Sequence, residues 1–342
     1  MNRLYPLKFK PIIKEKIWGG TRLKSILNKN LKTDKAGESW EISGFPGQIS
    51  KVSNGFLSGN SLEELIEVYM GDLVGDGVFE KFGTLFPLLI KFIDANDTLS
   101  VQVHPDDKLA RKHFGSYGKT EMWYILEAEK NAEIFVGFNK AVDKDTWQKH
   151  VEQNTLLSVL NKEIVSAGDV FYIPSGRIHT IGPGILLAEI QQTSDATLRV
   201  YDYNRLDEKG KPRELHTELA IEAIDFNVYP EYKVTYNNKP GNTKKLVTCE
   251  YFTVNLIDLH VKSERNYHEL DSFVIYICLD GRLSIQYYGN ETELLRKGET
   301  ILIPAEIKEI KLIPETKTRI LEVYIEGLNL KDRTSDLLEK LF

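Results

Sequence analysis

The sequence predicts a mainly β protein: two similar β-barrels in tandem, with a few short helices among the strands. Three observations predict it. Short apolar runs alternate with turn residues along most of the chain. The unit Ala167-Gly168-Asp169-Val170-Phe171-Tyr172-Ile173-Pro174 returns as Lys297-Gly298-Glu299-Thr300-Ile301-Leu302-Ile303-Pro304. Before each copy lies an apolar strand, a polar turn and a second strand, so that Met122–Ile134 can be laid on Phe273–Ile285. A repeated β-unit of this kind points to repeated architecture.

Taken in order, residues 1–58 read as loops and strands around Trp18-Gly19-Gly20 and Gly37-Glu38-Ser39-Trp40-Glu41. Residues 61–70 predict a helix: Ser61 is an N-cap with Glu64 three residues on, and Leu62, Leu65, Ile66 and Tyr69 recur at helical spacing. Pro87–Ile93 and Leu99–Val103 read as strands, as do Glu121–Leu126 and Glu133–Phe138. Residues 143–160 are polar with spaced apolar positions and suggest one or two short helices. Val170–Ile173, Ile185–Gln191 and Thr197–Tyr201 are strands, Leu215–Ile224 is a short helix, and polar Tyr229–Pro240 is the expected connector. Beyond it come Tyr251–Leu259, Phe273–Leu279, Arg282–Tyr287, Thr300–Ile303, Glu309–Leu312 and Thr318–Tyr324. The expected domains are therefore 1–230, carrying the short helices, and 231–342.

Bulk properties narrow the partners. The chain has 342 residues, 42% of them apolar, and a formal charge of −6, which disfavours nucleic acid as the main partner. No apolar run is long enough to span a bilayer. The first ten residues lack a secretory apolar core. Two cysteines, Cys249 and Cys278, argue for a reducing compartment rather than a disulfide framework. A cytoplasmic protein, as monomer or homodimer, is expected.

The chemistry gathers around Val101-Gln102-Val103-His104-Pro105. On a strand, Gln102 and His104 share a face. Gly168, Pro174, Gly176 and His179 have the spacing of the second motif of the cupin superfamily, whose histidine binds metal inside a small jelly-roll barrel. Gln102-Val103-His104 resembles half of the first cupin motif, and Glu121 its acidic residue. Two imidazoles, a carboxylate and an amide form a mixed N/O set that suits zinc, although manganese, iron or cobalt would also be accepted. In the second copy Glu306 and Glu309 follow Pro304 where Gly176 and His179 follow Pro174, and Ser272 stands for Glu121. That copy is expected to be a degenerate barrel without metal.

The blocks Lys16-Ile17-Trp18-Gly19-Gly20, Gly37-Glu38-Ser39-Trp40-Glu41, Leu89-Ile90-Lys91-Phe92, Gln102-Val103-His104-Pro105-Asp106, Lys119-Thr120-Glu121-Met122-Trp123 and Ser194-Asp195-Ala196-Thr197-Leu198-Arg199 together resemble type I phosphomannose isomerases, in that family's order. The short gap between Glu121 and His179 resembles the short bacterial form. The resemblance implies tandem cupin domains and one zinc ion per chain in the first barrel, held by Gln102, His104, Glu121 and His179. It implies interconversion of mannose 6-phosphate and fructose 6-phosphate through an enediol. It further implies catalytic roles for Arg199, Lys119, Lys91 and Asp195. Arg205 would hold phosphate, and Trp18 and Glu38 would line the mouth, though Trp18 is equally a core residue. The general base stays open between metal-bound water, Lys119 and a carboxylate such as Asp195. Relatives that carry histidine before the Lys-x-Glu block differ here, where Gly118 stands. A metal-dependent cupin oxygenase, a non-catalytic sugar-phosphate-binding cupin, and phosphoglucose isomerase activity are the rivals.

Overall fold

The computed structural model describes residues 3–206, 210–237 and 243–327. The chain divides into two compact units. The first comprises Pro11–Phe45 and Leu88–Thr235; the second comprises the described parts of Met1–Lys10, Pro46–Pro87 and Tyr236–Phe342. This differs from the division at residue 230 that the strand pattern implies, because pairing joins segments far apart in sequence. Leu7–Lys8 pairs with Thr300–Ile303. The helix Leu62–Val74 is tied to the same unit where Ala305 N donates to Leu73 O and Phe273 N donates to Val74 O.

In the first unit, Ile12–Gly20, Ala36–Ser43, Leu88–Ala95, Ile185–Gln192, Glu121–Ala128 and Val170–Ile173 form one sheet in that spatial order. Leu198–Tyr201, Val101–Val103, His179–Ile181, Glu133–Phe138 and Leu160–Ile164 form another. Both sheets contribute to one buried cluster that includes Trp123, Ile125, Phe171 and Leu187 from the first sheet and Ile134, Val136 and Ile181 from the second. This is the two-layer packing of a jelly roll. The outer face of the smaller sheet buries Val101, Val103, Phe138, Ile178 and Leu198 beneath Trp147 and Ala220, which lie on the helices Lys144–Glu152 and Thr217–Ala223. Valines at 101 and 103 therefore look outward to the helices, and Gln102 between them looks inward.

The local signals act as their chemistry requires. Ser61 Oγ accepts from Glu64 N while the Glu64 carboxylate accepts from Ser61 N, and the helix Leu62–Val74 leaves helical geometry at Met70 (φ 43°, ψ −125°). Gly137 has φ +66°, and a Cβ there would lie 2.3 Å from the Tyr232 ring. The Tyr232 hydroxyl donates to Phe138 O, so the described part of the expected connector closes over the first unit. Of that connector, 238–240 lie outside the described residues. The helix Asp107–Phe114, capped by Asp106, is not evident in the sequence: it is too short and polar to show a period. The strands Thr243–Thr248, Ser263–Asn266 and Glu291–Arg296 are likewise hidden, being rich in charged and polar residues. Among the described residues no helix is long and apolar enough to cross a membrane.

The second unit repeats the two-sheet plan: Leu7–Lys8, Thr300–Ile303, Val274–Asp280, Thr318–Tyr324, Thr253–Leu259 and Thr243–Thr248 in one sheet, Ser263–Asn266, Glu309–Pro314, Arg282–Tyr287 and Glu291–Arg296 in the other. Register corrects the sequence-based equivalences. Glu121 pairs with Ile173, and Val274 pairs with Ile303, so Val274, not Ser272, is the counterpart of Glu121. His179 pairs with Gln102 and Val136, and Ile181 with Ile134. In the second unit Leu312 pairs with the buried Ile285, and Ile310 with Arg265. Ile310, not Glu309, thus occupies the position of His179. The second copy carries one more residue between its Pro304 turn and the next strand, and the extra residue exchanges the faces.

Candidate metal centre

Three of the expected ligands converge from both sheets. Glu121 opens the strand Glu121–Ala128, His179 opens His179–Ile181, and His104 follows Val101–Val103. All three are buried, at 0–1% exposure. Glu121 Oε2 lies 3.4 Å from His104 Nε2, and Glu121 Oε1 lies 3.5 Å from His179 Nε2. The outer nitrogens are fixed by backbone carbonyls: His104 Nδ1 lies 3.0 Å from Ala196 O, and His179 Nδ1 lies 2.8 Å from Arg177 O. If each Nδ1 donates there, both Nε2 lone pairs face inward, the arrangement that a metal-ligating histidine needs. The Gln102 amide is 3.2 Å from His179 Nε2.

The fit to a cation rests on what is left unsatisfied. Both Glu121 oxygens and His104 Nε2 are buried without a hydrogen-bond partner. A buried polar atom left so is costly, and three aimed at one point are accounted for by an ion between them. The ligand atoms of His104, Glu121 and His179 lie within 4.8 Å of one another. Burial pushes the His104 imidazole down to about 4, helped by Lys119 and opposed by Glu121; burial also lowers His179. Burial alone would raise the Glu121 carboxyl, but Lys119 and the two histidines hold it well below the usual carboxylate range. Neutral imidazoles and an ionised carboxylate are the forms that bind metal.

Cations and carboxylates continue the site along the larger sheet. Lys119 Nζ is 3.3 Å from Glu121 Oε2. The Trp123 ring meets His179 edge-on at 5.2 Å, and its indole N–H donates to Glu189 at 3.1 Å. Lys91 Nζ lies 3.1 Å from Glu189 and 4.0 Å from Glu38. Burial would lower the Lys91 ammonium, but Glu189 and Glu38 lift it above the ordinary lysine range. Burial would raise Glu38, yet Lys91 and Lys16 bring it down to about 2. Glu38 also accepts from the Trp40 indole at 2.7 Å. Lys91 and Lys14 both lie over the Trp40 ring. Asp195 is exposed and acts electrostatically on Lys14 and Lys91.

A second basic group starts on the strand beside Gln102, with which Arg199 pairs. Arg199 donates to Glu214 O at 2.8 Å. Asp202 Oδ1 is 2.5 Å from Arg205 and 3.2 Å from Arg213. Burial, and then Arg213, depress the Arg199 guanidinium: Arg205 and Arg213 pair with one buried aspartate, and Arg199 stands beside them without an ion pair of its own to it. Trp18 stands apart from the predicted set. Its ring is 5% exposed and belongs to the apolar cluster, so it packs the core and does not line a mouth.

Glu189, Lys14 and Arg213 lie outside the motif blocks, and Trp40 and Trp123 lie inside them without a role assigned from sequence. For Glu189 a signal exists: it is the lone charge in the apolar run Ile185-Leu186-Leu187-Ala188-Glu189-Ile190, which a buried strand tolerates only with a partner. Nothing in the sequence alone marks Arg213.

Comparison with known proteins places these features among relatives. A family model described as phosphomannose isomerase type I, catalytic domain, matches residues 6–150. Another, mannose-6-phosphate isomerase, cupin domain, matches residues 242–325. The chain is 38% identical over 313 residues to mannose-6-phosphate isomerase ManA of Bacillus subtilis, spanning 90% of this chain and 95% of that one. It is 38% identical over 306 residues to mannose-6-phosphate isomerase of Streptococcus mutans, spanning 89% and 93%. The crystal structure of the mannose 6-phosphate isomerase from Bacillus subtilis superposes with a TM-score of 0.85 at 34% identity, covering 94% of this chain and all of that one.

Proposed function

The chain belongs to the type I phosphomannose isomerases, and from that premise we propose that it interconverts mannose 6-phosphate and fructose 6-phosphate by metal-dependent aldose–ketose isomerisation. One observation carries the assignment of the site: three buried ligand atoms without a hydrogen-bond partner converge beside Lys119, on strands next to a group of three arginines. The rival oxygenase reading gives no reason for this basic surround, and the binding-only reading gives none for a complete set of buried metal ligands.

His104, Glu121 and His179, with Gln102 completing the set, hold the cation, and zinc fits these ligands. When bound, zinc supplies Lewis acidity toward the sugar oxygens on C1 and C2. Lys119, 5% exposed and against Glu121, is positioned to move a proton near those oxygens. Lys91 cannot serve as base, since its carboxylate partners keep it charged; it is a fixed positive charge. Glu38 and Glu189 hold it in place. Asp195 is the accessible carboxylate of the set and is assigned to the carbon-bound proton. Arg199, Arg205 and Arg213 bind the phosphate, so that binding energy remote from the reaction orients the reacting carbons. A chain with two cysteines, Cys249 and Cys278, and no disulfide framework suits a reducing cytoplasm.

The test of this reading is the conversion of mannose 6-phosphate to fructose 6-phosphate by the purified protein, before and after chelation. Turnover that is lost with chelator and restored by zinc is expected; no product with zinc present would overturn it. Arg213→Ala is expected to raise KM about tenfold or more with a smaller change in kcat, the loss of one charge-assisted hydrogen bond. An unchanged KM would remove Arg213 from the phosphate site.

A further inference from the structure

At the four positions where the first unit holds its metal centre, the second unit holds two polar and two apolar residues. Register places Arg265 at Gln102, Val274 at Glu121 and Ile310 at His179. Two residues on, Tyr267 stands for His104. The inner rung is kept in kind. Glu189 pairs across strands with Lys91 and Trp123; Glu322 pairs with Asn255 and Tyr276 in the same way.

We infer that this second barrel binds a neutral polyhydroxylated ligand of monosaccharide size in the cavity above Glu322. The cavity is an open cleft of about 560 Å³, lined by Asn255, Arg265, Tyr267, Glu322 and Tyr324, among others. That volume lies in the range of small-molecule sites. Glu322, 4% exposed, accepts from the Tyr267 hydroxyl at 2.6 Å and from Asn255 Nδ2 at 2.9 Å. Asn255 Nδ2 also donates to the Tyr324 hydroxyl at 3.2 Å. Arg265 Nη1 donates to Thr243 Oγ1, whereas Arg265 Nε is buried and has no partner among the described residues. A built array of hydroxyl, amide, carboxylate and guanidinium groups, with one donor left over, asks for a ligand that offers oxygen acceptors.

The surrounding charge decides the ligand's own charge. Glu264, Glu269, Asp271 and Glu326 stand with Glu322 around the cavity, and among the described residues Arg265 is the only cationic side chain lining it. Sugar phosphates and other anions are repelled. A cationic amine would meet the free guanidinium donor of Arg265, which needs an acceptor. A neutral sugar satisfies both conditions: its oxygens accept from Arg265 and its hydroxyls donate to the carboxylate and phenol oxygens.

Unphosphorylated mannose is the probe, titrated by calorimetry into the full chain, with the wild type loaded with zinc. Saturable binding is expected in the wild type and in His179→Ala. In Arg265→Leu the Kd is expected to weaken about tenfold or more, the loss of a charged donor, with an unchanged thermal melt as the sign of an intact fold. Should the leucine variant fail to fold, Arg265→Lys, which keeps the charge and loses Nε, is expected to weaken binding as well. No mannose binding to the wild type, binding lost in His179→Ala, or binding indifferent to both Arg265 variants overturns the inference. None of these outcomes depends on whether the first unit isomerises mannose 6-phosphate.

Discussion

His179→Ala is expected to lower kcat by about three orders of magnitude or more and to strip the chain of its zinc. The argument is geometric. His179 is wholly buried, its Nδ1 is committed to Arg177 O, and its Nε2 faces Glu121 at 3.5 Å. Removing the ring leaves His104 and the Glu121 carboxylate as the remaining strong ligands and opens a cavity between them. A factor of a thousand corresponds to about 4 kcal/mol of transition-state stabilisation, the order of magnitude seen when an electrostatic stabiliser is deleted from an enclosed site. Gln102→Ala should be milder, about 10–100-fold, because this outer-ranking amide ligand binds metal weakly and its loss resembles that of a supporting group. Two readouts separate the outcomes: a coupled assay for fructose 6-phosphate, and elemental analysis of metal per chain. Activity lost while zinc is fully retained would show that His179 is not a ligand.

The second large effect is on stability. Lys91→Met is expected to cost about 3–5 kcal/mol, the penalty for leaving buried charge uncompensated. Lys91 is 3% exposed and stands between Glu189 (3%) and Glu38 (8%), so one truncation removes the cation 3.1 Å from Glu189 and leaves Glu38 with Lys16 alone. Lys81→Met offers the contrast: Lys81 and Glu250 are exposed and 3.8 Å apart, and its loss should fall within about 0.5 kcal/mol. The signs with pH follow from the shifts. The ammonium of Lys91 is raised above its ordinary value of 10.5, so its contribution is complete below that pH and fades as pH climbs through the higher folded value. Glu38 is depressed from 4.5 to about 2, so its contribution is complete above 4.5 and is lost as pH falls toward 2. Urea titrations should therefore show a gap between wild type and Lys91→Met that is full at neutral to alkaline pH and narrows as the pH falls, where protonation relieves the buried carboxylate that has lost its cation. A gap that widens as the pH falls would contradict this assignment of charges.

The parts of the molecule legible in the sequence are those whose signal is local. The capping box at Ser61 and Glu64 and the alternation at Val101–Val103 specify backbone and facing within a few residues. The strands Val170–Ile173, Arg282–Tyr287, Thr300–Ile303 and Thr318–Tyr324 lie where alternation and turns place them. His104, Glu121 and His179 are recognisable because each sits in its own motif, and all three meet in space as a cluster able to hold a metal ion.

What stays hidden is pairwise. Glu189 matters because Lys91 and Trp123 lie on the strands either side of it, and Arg213 because Asp202 turns toward it; neither relation is written in the order of residues. Trp18 shows the opposite limit: a motif position whose ring goes into the core. The division into units is hidden for the same reason, since Leu7–Lys8 finds its partner strand at Thr300–Ile303, almost the full length of the chain away.

The one-residue difference after Pro304 has a practical consequence for anyone wishing to build a metal centre into the second barrel. Engineering by spacing would write histidine at Glu309, whose side chain is on the outer, exposed face, and would obtain a surface histidine. The blueprint drawn from register calls instead for Arg265→Gln, Tyr267→His, Val274→Glu and Ile310→His, with the rung of Asn255, Tyr276 and Glu322 already in place behind them.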